Sequence, residues 1–356
     1  MGSLKFSRRL LFCCLLSILS VGVPFCTAAD KLNIVTTITT LASLAKEVGG
    51  DDVSVASICG GDEDPHFVQA KPSSMMKAHK ADLWICIGME LEVGYERLIL
   101  EGSRNPRIQI GSPGYLDASE GINKLEVPTR RIDRSMGDVH PLGNPHYWLD
   151  PYNGRIIAAN ICSRLKLLDP EHSADYDRNM AAFLLKLDSA MFGGELVKVV
   201  GGERLWQMQP DGTIAAFIKN YNDKILEADP NAKDKLLSLG GWVAKLKPFE
   251  HAKIVIYHRS WPYFFHRFNL EDVAELEPKP GIPPGPQHLL EVINTMRAQK
   301  TKVILMEPFY NRRHADFVAE KTGAKVVVVP NSVDSQVTDY IAMLNNVVTK
   351  LTEALR

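Results

Sequence analysis

Paired cysteines are the first thing this sequence lacks. None of its six cysteines stands in a CxxC spacing, which excludes a zinc cluster built on thiolates. It also lacks any excess of positive charge, since 41 basic residues face 42 acidic ones for a formal net charge of -1. Nucleic acid is therefore not expected as a partner, because phosphate binding needs a basic surface. The short run Arg130, Arg131, Arg134 reads as a solvated loop. Beyond the N-terminus no segment is long and apolar enough to span a bilayer, and neither an internal repeat nor a low-complexity stretch is legible. What is there, 45% hydrophobic and 23% charged residues over 356 positions, suits a globular protein of two domains.

The N-terminus carries an address. Lys5, Arg8 and Arg9 precede the apolar run from Leu10 to Val23, and Pro24-Phe25-Cys26-Thr27-Ala28-Ala29 supplies a bend and small residues. This is the layout of a secretory signal peptide over residues 1–29, cleaved after Ala29. The apolar run is short for a membrane anchor. Acylation of Cys26 is the lesser alternative, because Pro24-Phe25 stands where small residues are expected. A soluble, exported protein of the periplasm is the expectation. Removal of the signal leaves Cys59, Cys86 and Cys162. Cys59 and Cys86 lie at or near the ends of strand-like runs and read as buried small residues, with pairing open if those strands are neighbours.

The mature chain alternates strands and helices. Strands are expected at 32–37, 53–59 and 83–87, with helices at 40–48, 71–80 and 153–168. A strongly helical stretch, 171–191, places Tyr176, Met180, Phe183, Leu184 and Leu187 at helical spacing. Residues 192–250, broken by Gly193-Gly194, Gly201-Gly202 and Gly240-Gly241, read as a helical insertion whose Trp206, Phe217, Tyr221 and Trp242 pack on the body. A second half follows, with strands at 253–257, 303–306 and 325–329 and helices at 286–299, 313–322 and 338–355. The fold class is α/β, two lobes of parallel sheet flanked by helices. The boundaries expected are 30–170 for the N-terminal lobe, 171–191 for a connecting long helix, 192–250 for the insertion and 251–356 for the C-terminal lobe.

Three histidines occupy comparable places in that plan. His66 follows the second strand in Asp64-Pro65-His66. His146 sits in Asn144-Pro145-His146-Tyr147-Trp148-Leu149-Asp150-Pro151, and His258 ends the first strand of the second half in Tyr257-His258-Arg259-Ser260-Trp261. Ligands of open α/β sheets bind where strand carboxyl ends converge. Neutral imidazole suits zinc, copper, iron or nickel better than manganese, and three of them need only one oxygen ligand to complete a tetrahedron. Singly, each histidine is more often a loop or core residue. His79, His172, His266, His288 and His314 fall in helical or surface patterns and are assigned no ligand role. His140 is close enough to His146 in sequence to be an accessory metal ligand.

These segments resemble the zinc/manganese-type solute-binding proteins of ABC importers, the ZnuA/TroA-like family, over residues 31 to 356. The likeness rests on Asp64-Pro65-His66 with Lys71-Pro72-Ser73, on the Asn144 to Pro151 motif, and on Tyr257 to Phe264, with Glu307-Pro308 and the Tyr340 helix in support. It implies that His66, His146 and His258 hold a metal in the cleft between lobes and that the helix 171–191 is the backbone joining them. It also implies delivery to a membrane permease of a metal ABC transporter by a monomeric carrier rather than an enzyme. The family's acidic fourth ligand has Asn331 in its register here, leaving Asp334 as the nearest carboxylate and Glu307 as a further candidate. The long His-rich loop of zinc-specific members is absent. Zinc (Zn2+) is favoured, with Mn2+ or Fe2+ open. A zinc-dependent hydrolase using Glu63 or Asp64 as base is the alternative, and a metallochaperone or adhesin on the same scaffold is a third reading.

Overall fold

The computed structural model describes residues 31–129, 137 and 139–356. The expected signal peptide and the arginine run at 130, 131 and 134 lie outside the described residues. The chain from Lys31 to Arg356 forms one compact unit, and no helix among its described residues is long and apolar enough to cross a membrane.

β-branched and apolar runs make most of the strands. β1 (Leu32–Thr36), β2 (Val53–Ser57), β3 (Leu83–Cys86) and β4 (Tyr115–Asp117) form one sheet in the order β2-β1-β3-β4. β5 (Lys253–Ile256), β6 (Glu271–Glu275), β7 (Val303–Met306) and β8 (Lys325–Val328) form a second, in the order β6-β5-β7-β8. Every pairing is parallel. The two sheets thus repeat one topology that has no counterpart in the sequence. In each, the chain turns back after the first crossover, and the crevice at that reversal opens at the strand carboxyl ends.

Helices cover the faces. α1 (Thr39–Gly49), α2 (Pro72–His79), α3 (Glu96–Ser103) and α4 (Pro151–Leu168) flank the first sheet. α5 (Ser173–Phe192) is the long helix, about 30 Å at 1.5 Å per residue. It begins later than residue 171 because Pro170–His172 forms a 3-10 turn first. α5 buries Tyr176, Phe183, Leu187 and Met191 and packs on α1 and α4. Four helices follow before the second sheet: α6 (Gly194–Val200), α7 (Gly202–Met208), α8 (Thr213–Ala228) and α9 (Gly241–Leu246). Trp206 and Trp242 are buried, while Phe217 and Tyr221 pack half-buried on the same core. The second sheet carries α10 (Pro262–Phe268), α11 (Pro286–Gln299), α12 (Arg312–Thr322) and α13 (Tyr340–Leu355).

One continuous apolar core runs from the first lobe through α5 and α9 to α13. Cys59, Cys86 and Cys162 are all free and buried. Pairing of Cys59 with Cys86 fails because β1 lies between β2 and β3. Two strand spacings, about 9.5 Å, exceed what a disulfide spans.

Candidate metal centre

Each histidine is fixed by its local chain. Pro65 opens a 3-10 turn, and the Asp64 carboxylate caps it by accepting from the His66 backbone N–H at 3.0 Å. The same oxygen meets His66 Nδ1 at 2.8 Å. Asn144 repeats the device for His146: its Oδ1 accepts from the His146 backbone N–H and meets Nδ1, both at 3.0 Å. His258 leaves β5 directly, and its Nδ1 lies 2.7 Å from Glu277 Oε2, just past β6. All three rings therefore spend Nδ1–H on an acceptor, which selects the tautomer with a bare lone pair on Nε2. Asn144 and Glu277 were not singled out by sequence reasoning. The i to i+2 Asx-to-His spacing, shared by both Pro-His motifs, is the signal that could have found Asn144. Glu277 lies nineteen residues beyond His258 and has no local signature.

The rings converge. Centroid distances are 5.1 Å for His66–His146, 5.2 Å for His66–His258 and 5.4 Å for His146–His258. One ring nitrogen from each lies within 4.8 Å of the other two. His66 Nε2 and His146 Nε2 are buried and make no hydrogen bond, an arrangement that costs free energy unless something binds there. Burial first, then repulsion from His66, His258 and His140, holds the His146 pKa well below its ordinary value. Burial also disfavours charge on His258, but the Glu277 hydrogen bond and the charges of Glu277, Glu307 and Asp64 outweigh it and raise that pKa. Asp64 is half-buried, and burial works against its charge, yet its hydrogen bonds to His66 and the charge of that ring hold its carboxyl below the usual range.

The remaining candidates separate. His140 is buried on the wall of a cavity of about 290 Å³ shared with Glu126, His146, His258 and Arg259, its ring 5.4 Å from that of His66. It is not one of the three converging ligand sets. Glu307, after β7, is fully buried with neither carboxylate oxygen in a well-formed hydrogen bond, although the Ser260 hydroxyl lies beside it. Burial pushes its pKa up to about 7. Asp334 is only half-buried, and its Oδ1 accepts from the backbone N–H groups of Gln336 and Val337 at 2.7 and 2.9 Å. That carboxylate holds a turn. Asn331 is buried, its Oδ1 making no hydrogen bond while its carbonyl accepts from Trp148 Nε1 at 2.6 Å. Of the bases a hydrolase would need, Asp64 is committed to His66 and Glu63 accepts from the Gly60 backbone N–H at 2.9 Å.

Two parallel-sheet lobes meet at a buried crevice into which three histidines converge. The chain belongs to the family described as zinc-uptake complex component A, periplasmic, whose model matches residues 34–191 and 213–354. Members are substrate-binding proteins of metal ABC transporters, not enzymes. The iron-binding protein YfeA of Yersinia pestis is 25% identical over 325 residues, covering 89% of this chain and 84% of its own. The manganese ABC transporter substrate-binding lipoprotein PsaA of Streptococcus pneumoniae is 33% identical over 168 residues, 47% and 52% of the two chains. The crystal structure of ZnuA superposes with a TM-score of 0.66 at 22% identity, covering 92% of this chain and 100% of that one. At that identity the likeness speaks for the fold.

Proposed function

We propose that the protein captures a divalent transition metal, zinc in preference to manganese or iron, and hands it to the permease of an ABC importer outside the cytoplasm. The observation that carries this is the convergence of three imidazoles, each with Nδ1 engaged and one ring nitrogen within 4.8 Å of those of the other two, the Nε2 atoms of His66 and His146 being buried and without a hydrogen bond. Tetrahedral zinc at about 2.0–2.1 Å from each nitrogen sets imidazole centroids roughly 5.2 Å apart, close to the 5.1, 5.2 and 5.4 Å that separate these rings. Buried dications need compensating charge, which Asp64 and Glu277 supply through the histidines they hold. The last coordination position falls to an oxygen from Glu307, from Asn331 or from water.

Nitrogen-rich ligation favours zinc, since manganese prefers more carboxylate. Relatives are named for iron and for manganese, so the preference rests on the donor set alone. Export through residues 1–29 and residence in the periplasm belong to this reading. Calorimetric titration of chelator-stripped protein with zinc and with manganese tests it, one tight site with the tighter binding for zinc being the expected result. Failure to bind either ion would overturn it. Anomalous scattering at both absorption edges in a loaded crystal would name the ion and its oxygen ligand.

A further inference from the structure

Residues 192–212 fall in the gap between the two stretches that the family model matches, and they build a contact joining the lobes. In the first lobe, Asp150 stands four residues after His146 and caps α4 through the Tyr152 N–H at 2.9 Å. In the second, Arg267 lies on α10, nine residues after His258. Arg267 Nε and Nη2 grip the two Asp150 oxygens, each at 2.8 Å, in a pair only 13% and 6% exposed. This bidentate bridge links the two helices that follow His146 and His258 in the chain.

The additional segment covers that bridge. Trp206 of α7 is buried with its ring 5.6 Å from the Arg267 guanidinium, 5.7 Å from that of Arg155 and 5.4 Å from Tyr152. Its indole N–H donates to Asp188 of α5 at 2.7 Å, and Phe192 meets it edge-on at 4.9 Å. Gln209 closes the outer side, accepting from Arg267 Nη1 at 2.6 Å and donating to the Arg267 carbonyl at 3.2 Å. α7 approaches α5 this closely only because residue 202 is glycine, where a Cβ would lie 1.7 Å from the Asp188 carboxylate. Shielding from water strengthens an ion pair and cation–π contacts alike.

We infer that segment 192–212 is an inter-lobe clamp, with Trp206 and Gln209 as positioning residues that hold His146 and His258 at a fixed separation and so slow the escape of the bound ion. Its effect on cargo rests on the metal-binding reading above; its effect on the lobes rests on packing alone. Both are measured on Trp206→Ala and on Gln209→Ala, the latter a half-exposed residue whose loss leaves the core intact. Zinc release into excess chelator, followed by stopped flow, is expected to be about tenfold faster for Trp206→Ala and about two- to threefold faster for Gln209→Ala, with association changed less than dissociation. Hydrogen exchange on the metal-free proteins is expected to quicken selectively at residues 147–150 and 263–268. Wild-type release rates in both folded variants, or exchange that rises evenly along the chain, would overturn the clamp. Should Trp206→Ala fail to fold, Gln209→Ala decides. Should the wild type bind no zinc, the metal reading falls and the exchange pattern alone judges the clamp.

Discussion

At the scale of single residues, the structure separates a carboxylate that sequence proposed as a ligand from one that sequence passed over. Asp334 and Glu277 make the sharpest contrast. Asp334 is spent on a turn, so Asp334→Ala should leave zinc affinity within about threefold while costing roughly 1 kcal/mol of stability, the usual net worth of such hydrogen bonds. Glu277→Ala should weaken zinc binding about 10–100-fold by freeing the His258 ring. Competition titration reads both affinities, and equal affinities for the two variants would show the contrast to be misplaced. The convergence of His66, His146 and His258 could be anticipated because each sits in a dense local motif. Glu277 could not, because its partner is brought to it only by the parallel pairing of β5 with β6. A second residue carries a pH signature away from the cleft. Glu92 accepts from Thr37 Oγ1 and from the backbone N–H groups of Ile87 and Gly88, and burial raises its pKa from 4.5 to about 8. A carboxyl raised in the folded state contributes stability that is fully present below the unfolded pKa and lost as pH climbs through the folded one. Between about pH 4.5 and 8 the wild type should therefore lose stability that Glu92→Gln does not lose, seen as a shallower pH slope in urea unfolding. Equal slopes would refute it.

Among the elements, periodicity was legible where strands and helices are apolar on a consistent face, and failed where they are short or polar. α11 and β7 begin and end where the pattern places them. β6, whose sequence is Glu-Asp-Val-Ala-Glu, is an edge strand with charged residues along it, and edges carry charge for that reason. β4 has three residues, too few for an alternation to register. Helix α13 shows how an element far along the chain secures the site: its Tyr340 hydroxyl donates to the Trp148 carbonyl at 2.7 Å, two residues past His146. That ring rests on Gly154 of α4, where a Cβ would stand 2.4 Å from it. Gly154→Ala should displace Tyr340 and destabilise the protein by about 1–3 kcal/mol, despite alanine's better helix propensity. A denaturation midpoint equal to or above wild type would contradict the packing argument.

For the molecule as a whole, the two-lobed plan was legible from alternating elements, whereas the identical strand order of the two sheets was not, because topology repeats here without residues repeating. The three described thiols are buried and free, with Cys59 pushed up to about 12 by burial and by Glu63, Asp64 and Asp62. Chain 30–356 should thus give no rapid thiol labelling when folded and three labelled thiols when unfolded. A reductant should leave its melting temperature unchanged. The acceptors behind the histidines have one more consequence. Asp64 and Glu277 bring negative charge to the crevice and so a pull on cations that strengthens as salt is lowered. On the metal-binding reading, a captured dication would offset the formal charge of these two carboxylates and so weaken the pull on any further cation.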